Sequence, residues 1–189
     1  VLLGLSVWTY NSARVFAPLL LGVYIFLFKK SLITKPKKYK ILFLPIIFLF
    51  IPMFVQLIMP TGQARFSWVS FVNESYINEI ITARNNSELS PLLTRLVHNR
   101  YTYFPPLFIR NYISHFSPKF LFVNGGSHYQ FGIPNVGLIY PVQAIFIILG
   151  LIYLVNKRKK QSFFIFSWIL LAPIASSLTV DTPHTLRFI

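Results

Sequence analysis

Long stretches of this chain carry no charge, and short lysine-rich runs separate them. Ile41–Met59 (ILFLPIIFLFIPMFVQLIM) and Val136–Val155 (VGLIYPVQAIFIILGLIYLV) are uncharged and almost wholly apolar. A helix needs about 20 such residues to cross roughly 30 Å of hydrocarbon, so both are predicted to span a membrane. Ala13–Phe28 and Ser162–Thr179 are slightly shorter candidates, while Val1–Trp8 and a run beginning near Pro183 read as partial spans. Pro18, Pro45, Pro52, Pro141 and Pro173 lie inside these runs. Proline breaks soluble helices but is tolerated in membranes, where neighbouring helices satisfy the freed carbonyls. The pattern predicts an all-α fold, a polytopic transmembrane helical bundle.

The polar stretch Pro60–Asn135 is too long for a structureless connector and is predicted to fold. In Phe71–Ala83 the residues Val72, Tyr76, Ile80 and Ala83 share a helical face, with Asn73, Glu74, Asn78 and Glu79 turned away. Ser90 and Pro91 read as N-cap and first residue of a second short helix through Leu92, Leu93, Leu96 and Val97. Phe104–Phe122 is aromatic-rich with sparse cations, as expected of a segment lying among lipid headgroups, and Asn124-Gly125-Gly126 is a turn that ends it. The sequons Asn73-Glu74-Ser75 and Asn85-Asn86-Ser87 matter only in a eukaryotic secretory setting. The organisation is spans over 1–59, a partly helical loop region over 60–135, and spans again over 136–189.

Charge adds sidedness. The run 29–40 holds Lys29, Lys30, Lys35, Lys37, Lys38 and Lys40, and the run 156–161 holds Lys157, Arg158, Lys159 and Lys160, with no acid in either. Under the positive-inside rule both face the cytoplasm. Counting crossings then puts Thr9–Ser12, Pro60–Asn135 and everything from Asp181 on the extracytoplasmic side, together with all the acids. The protein is thus expected to be a multi-pass membrane protein with its long loop outside.

Composition agrees. Hydrophobic residues make up 54%, with 20 Phe and 10 Tyr, and the mean hydropathy is +0.60. The 18 Lys and Arg face 4 acids, Glu74, Glu79, Glu88 and Asp181, for a formal charge of +14. So few carboxylates exclude an acidic metal cage. The absence of cysteine removes disulfides, thiolate zinc sites and thiol nucleophiles. The basic runs are short tethers between apolar spans without interleaved aromatics, so they report orientation and attraction to anionic lipid, and no nucleic-acid partner is expected. The chain opens on Val1 within apolar sequence and stops at Ile189 as another apolar run begins, which reads as an internal piece of a longer protein.

Two predicted spans start at the outer surface with cations near that start. In Asn11-Ser12-Ala13-Arg14, Asn11 or Ser12 caps the helix and Arg14 falls in its first turn. In Asp181-Thr182-Pro183-His184-Thr185-Leu186-Arg187, Thr182 is a plausible N-cap, Pro183 suits the first helical position, and His184 and Arg187 share a face. A cation there opposes the helix dipole by some tenths of a kcal/mol up to about 1, so an anion is the natural compensation, with a lipid phosphate the obvious one. The plainer reading is that Arg14 and Arg187 snorkel to bulk headgroups while Asp181 pairs with Arg187. His98, His115 and His128 lack metal-ligand spacing with the acids, and no metal is expected. Glu74 and Glu79 have the chemistry of an acid or base but sit on a polar helix face. No P-loop, His-Glu-x-x-His, nucleophile elbow or dinucleotide fingerprint is present in the sequence.

The segments Tyr10–Pro18 (YNSARVFAP), His115–Phe122 (HFSPKFLF) followed by Asn124-Gly125-Gly126, and Leu178–Arg187 (LTVDTPHTLR) together resemble the GT-C membrane glycosyltransferases of family 39, of the protein-mannosyltransferase and aminoarabinose-transferase type. The resemblance runs in order along nearly the whole chain. It implies transfer of a sugar from a polyprenyl-phosphate donor to an acceptor outside the membrane, with no cofactor. It also implies a catalytic carboxylate in an earlier outer loop that these residues do not include, so the catalytic residue is unknown here. Arg14, His184 and Arg187 would bind the donor phosphate, with Asp181 orienting one of them. The competing reading is a transporter or flippase of an anionic or lipid-linked substrate. Transporter sites usually lie in broken helices at mid-membrane, whereas the cations here cluster at one surface.

Overall fold

The computed structural model describes residues 2–34, 36–60, 70, 72–126, 133, 135–157 and 159–185, and the side chains of these except 36–40 and 42. Among them the fold is all-α: α1 (Leu2–Thr9), α2 (Ala13–Thr34), α3 (Pro36–Ile58), α4 (Glu74–Asn85), α5 (Pro91–Val97), α6 (Arg100–Ser114), a π-helical turn (Lys119–Asn124), α7 (Gln143–Lys157) and α8 (Lys160–Ser177). An isolated antiparallel bridge between Ser70 and Thr179 is the extended pairing described.

α2 is the helix both long and apolar enough to cross a bilayer among the described residues; the apolar part of α3, Phe43–Ile58, and α7 are shorter. At 1.5 Å per residue the 22 residues of α2 reach about 33 Å, and the 15 of α7 only about 22 Å. Two boundaries differ from the sequence reading. The expected lysine-rich loop over 29–40 is largely taken up by helix, because α2 runs on to Thr34 and Pro36, whose missing N–H is harmless in a first turn, opens α3. The expected span Val136–Val155 starts late, at Gln143. Residues 136–140 instead cross the π-helical turn, where the Ile139 amide donates to the Leu121 carbonyl at 2.9 Å.

That crossing depends on two glycines. Gly125 ends the π-helical turn with φ +66°, a left-handed conformation that glycine adopts without steric cost. A Cβ on it would stand 2.6 Å from the Val136 carbonyl oxygen. A Cβ on Gly137 would fall on the Phe122 main chain and 2.6 Å from the Leu121 oxygen.

α1 packs on α2 and α3, and α2 packs antiparallel on α8. Phe16 meets Trp168 at 5.9 Å between ring centroids, and Tyr24 meets Phe164 at the same separation. Val7, Ala17, Ile46, Phe50 and Met53 form the core where α1, α2 and α3 meet. The Trp8 indole donates to the Leu49 carbonyl across the same joint. Elsewhere the long helices turn bulky apolar groups outward: Phe26, Leu44, Phe48 and Phe146 are exposed, and α7 buries none of its residues.

In the middle region α4 forms as its periodicity predicts. Asn73 caps it by accepting from the Tyr76 amide, Tyr76 and Ile80 are buried, and Glu74 and Glu79 lie in solvent. α6 begins with a capping box that sequence reasoning passed over. Asn99 Oδ1 accepts from the amides of Tyr101 and Thr102 while the Thr102 hydroxyl accepts from the Asn99 amide.

Gly137→Ala is expected to cost about 1–3 kcal/mol, since a packed main chain must move to admit the methyl group. Gly22→Ala, with open space where its Cβ would lie inside α2, should instead stabilise by about 0.5–1 kcal/mol. Thermal unfolding of the purified variants checks the contrast.

Candidate functional site

The tight α1–α2 turn brings Arg14 to the start of α2, where the main-chain carbonyls of Tyr10, Asn11 and Ser12 accept the opening amides. The guanidinium is half-buried. Its Nε donates to the Val7 carbonyl at 3.2 Å, and its Nη2 donates to Gln56 Oε1 at 3.2 Å. Val7 lies in the last turn of α1, whose carbonyls lack helical partners and where a cation is electrostatically favoured. The compensation expected from an external anion is therefore supplied in part by α1 and α3. Two of the five N–H groups of Arg14 are used in this way. Gln56 was missed in the sequence, although it is the polar side chain within the uncharged run Ile41–Met59.

Beside this turn a cavity of about 460 Å³ opens between α1, α2 and α8, lined by Leu3, Ser6, Thr9, Ala13, Phe16 and Trp168 among others. The Ser6 and Thr9 hydroxyls donate to the carbonyls of Leu3 and Ser6, so the wall they present is apolar. Arg14 is not among the described residues of the lining.

The end of α8 carries the second expected cluster. Thr182 does not cap a helix and Pro183 does not open one: the Thr182 hydroxyl turns back to the carbonyls of Thr179 and Ser176, the Thr182–Pro183 peptide is cis, and helical geometry begins at Thr185. His184 is buried, 2% exposed, whereas Asp181 lies at the surface. The Asn124-Gly125-Gly126 turn reaches this segment, since a Cβ on Gly126 would stand 3.1 Å from both the amide nitrogen and the Oγ1 of Thr185. The structure thus joins His184 and its neighbours to the glycine turn and ties Arg14 to α1 and α3. Arg187, and with it the expected pairing to Asp181, lies outside the described residues, as does His128.

A third polar cluster was not expected. His115 is fully buried; its Nδ1 donates to the Asn111 carbonyl at 2.8 Å, which makes Nε2 the acceptor for the Ser176 hydroxyl at 2.7 Å. Asn111 Nδ2 donates to the Ser177 carbonyl, and the Tyr112 hydroxyl to that of Leu170. Phe120 closes edge-on against the imidazole. Hydroxyl, imidazole and orienting carbonyl have the order of a nucleophile, base and orienter. With both Ser176 and His115 inaccessible, the arrangement serves instead to lock α6 and the π-helical turn onto the end of α8. His98 is engaged separately, with its Nδ1 2.8 Å from the Tyr103 hydroxyl. Among the described residues no three His, Asp or Glu side chains come together as a metal site.

Burial pushes the His115 pKa below its ordinary 6.5, the bond to the Asn111 carbonyl only partly opposing it. The unfolded chain then binds more protons than the folded one between about 6.5 and that lower folded value. The stability supplied by neutral His115 is full above about pH 6.5 and falls as pH drops towards the folded pKa. His115→Asn should flatten that acid limb of the unfolding curve while lowering stability at pH 8. Ser176→Ala strips the Nε2 acceptor of its donor and is expected to cost about 1–3 kcal/mol. Thermal melts at stepped pH read both effects. The chain matches no family model, no curated protein and no solved structure.

Proposed function

We propose that this chain is part of a polytopic membrane glycosyltransferase that moves a sugar from a polyprenyl-phosphate donor to an acceptor on the extracytoplasmic side. One observation carries the reading: the antiparallel helices gather the α1–α2 turn with Arg14, the apolar cavity, the end of α8 with buried His184 and the Gly125-Gly126 turn at one end, and leave the lysine-rich joints α2–α3 and α7–α8 at the other. An enzyme of this kind needs its donor-binding groups and its cytoplasmic joints on opposite faces, and this arrangement supports the reading. The outward-facing Phe and Leu side chains of α2, α3 and α7 suit a lipid surrounding.

In this reading the donor phosphate sits at the start of α2, held by Arg187 and by the N–H groups of Arg14 that Val7 and Gln56 do not take, while His184, 2% exposed, lies behind the site as a positioning group. Negative charge grows on the lipid phosphate as the glycosidic bond breaks, and fixed cations stabilise it more in the transition state than in the ground state. Gln56 and the Val7 carbonyl act as positioning groups, fixing the plane of the Arg14 fork. A carboxylate from outside these residues deprotonates the acceptor.

In the full-length protein in proteoliposomes, Arg187→Ala and Arg14→Ala are expected to lower turnover of a labelled polyprenyl-phosphate sugar at least about tenfold, the scale of losing one charge-stabilising donor. Gln56→Ala should give a smaller loss and Lys37→Ala none. Equal turnover by all four variants, or movement of the intact donor across the bilayer without sugar transfer, would refute the enzyme reading; the latter outcome is that of a flippase.

A further inference from the structure

α5 is built inside out. In a folded polar region a short helix normally buries its aliphatic side chains and exposes its hydroxyls. Here the buried residue is Thr94, 9% exposed, while Leu92 and Leu96 are 77% and 68% exposed, with Leu93 and Val97 open beside them and Leu89 just ahead. The polar side is firmly held. The Thr94 hydroxyl donates to the Leu89 carbonyl at 3.1 Å, Asn99 Nδ2 donates to the carbonyls of Leu96 and Arg95, and Arg84 Nε donates to the His98 carbonyl at 2.6 Å. The Thr94 and Asn99 bonds close the two ends of the helix locally, and the Arg84 bond ties its C-terminal end to α4, with the leucine face left outward.

Charge and aromatics border the same patch. Arg95 and Arg100 are exposed, Tyr101 is 89% exposed, and Glu88 is the acid nearby in sequence. We propose that α5 is a lipid-docking wedge, whose Leu89, Leu92, Leu93, Leu96 and Val97 enter the acyl boundary of an anionic bilayer leaflet while Arg95 and Arg100 meet its headgroup phosphates. Aliphatic residues below, cations and a tyrosine at the rim are the arrangement that an interfacial helix needs. A second copy of the chain fits the patch poorly, because pairing the face with itself brings Arg95 and Arg100 of both copies together. The inference rests on α2 lying in the same membrane and is independent of sugar transfer.

The 189 residues contain no cysteine, so single labels can be placed within them at will. Leu92→Cys, Leu96→Cys, Asn86→Cys as a solvent-exposed control and Phe26→Cys on α2 are each labelled with an environment-sensitive fluorophore. The protein is reconstituted in phosphatidylcholine vesicles with phosphatidylglycerol, carrying nitroxide lipids of shallow or deep spin position. The labels at Leu92 and Leu96 are expected to be quenched by shallow nitroxides at least about twofold more than that at Asn86, and the label at Phe26 by deep ones. Combining Arg95→Glu with Arg100→Glu should bring the α5 quenching down to the Asn86 level. Quenching at Phe26 with none at Leu92 and Leu96 overturns the wedge and leaves α2 as a span. No quenching at Phe26 removes the span and the wedge with it. Undiminished quenching in the double charge reversal overturns the anionic preference, and disulfide-linked dimers through Leu96→Cys overturn lipid in favour of a second copy.

Discussion

The imidazole of His115, buried and hydrogen-bonded at both nitrogens, stands at the centre of the contacts that tie the region between α3 and α7 to the long helices, with Asn111 and Tyr112 beside it. A neutral histidine is suited to this, donating from one nitrogen and accepting at the other, so it closes a polar gap between α6 and α8 without burying a charge. Much of the middle of the chain depends on the bond. α6 carries α4 against it, Phe120 of the π-helical turn packs on the ring, and that turn in turn receives the crossing segment 136–140 at Leu121 and delivers Gly126 to Thr185. The aromatic ladder Phe104, Phe108 and Tyr112 along α6, continued by Phe116 just past its end, adds apolar area, but the polar bonds of Asn111, Tyr112 and His115 set which turn of α6 meets which turn of α8.

Arg14 shows a related economy at the other joint. A guanidinium at a helix start is unfavourable when the helix is considered alone, and the sequence therefore points outward, to an anion. In the fold, the end of a neighbouring helix supplies negative potential from within, through the Val7 carbonyl, and Gln56 adds an amide oxygen from α3. The proposed phosphate role then falls on a fork whose orientation is already fixed. Such a fork loses little entropy on meeting a ligand, which is how positioned cations differ from snorkelling ones.

The middle region also separates two kinds of exposed apolar surface. On α2, α3 and α7 outward Phe and Leu follow from uninterrupted hydrophobic sequence. On α5 they accompany a helix that buries Thr94 and whose C-terminal end is tied to α4 by the Arg84 bond to the His98 carbonyl.

The all-α class, the positions of most helices, the α4 face with Tyr76 and Ile80 inward, and the glycine turn at 124–126 are legible in the residues alone, because these depend on local periodicity, capping and backbone freedom. So is the place of Arg14 in a first helical turn, since neighbouring residues fix that. Tertiary structure decided what local pattern cannot reach. The Thr182 hydroxyl serves the end of α8 instead of capping the next helix, α7 begins only after its predecessor residues have crossed Leu121, and Ser176 finds a histidine 61 positions away. Ile139 and Ser176 are taken by partners distant in sequence, and Thr182 bonds the residues just behind it in place of those ahead; local pattern leaves such choices equal, and only the packed chain settles them.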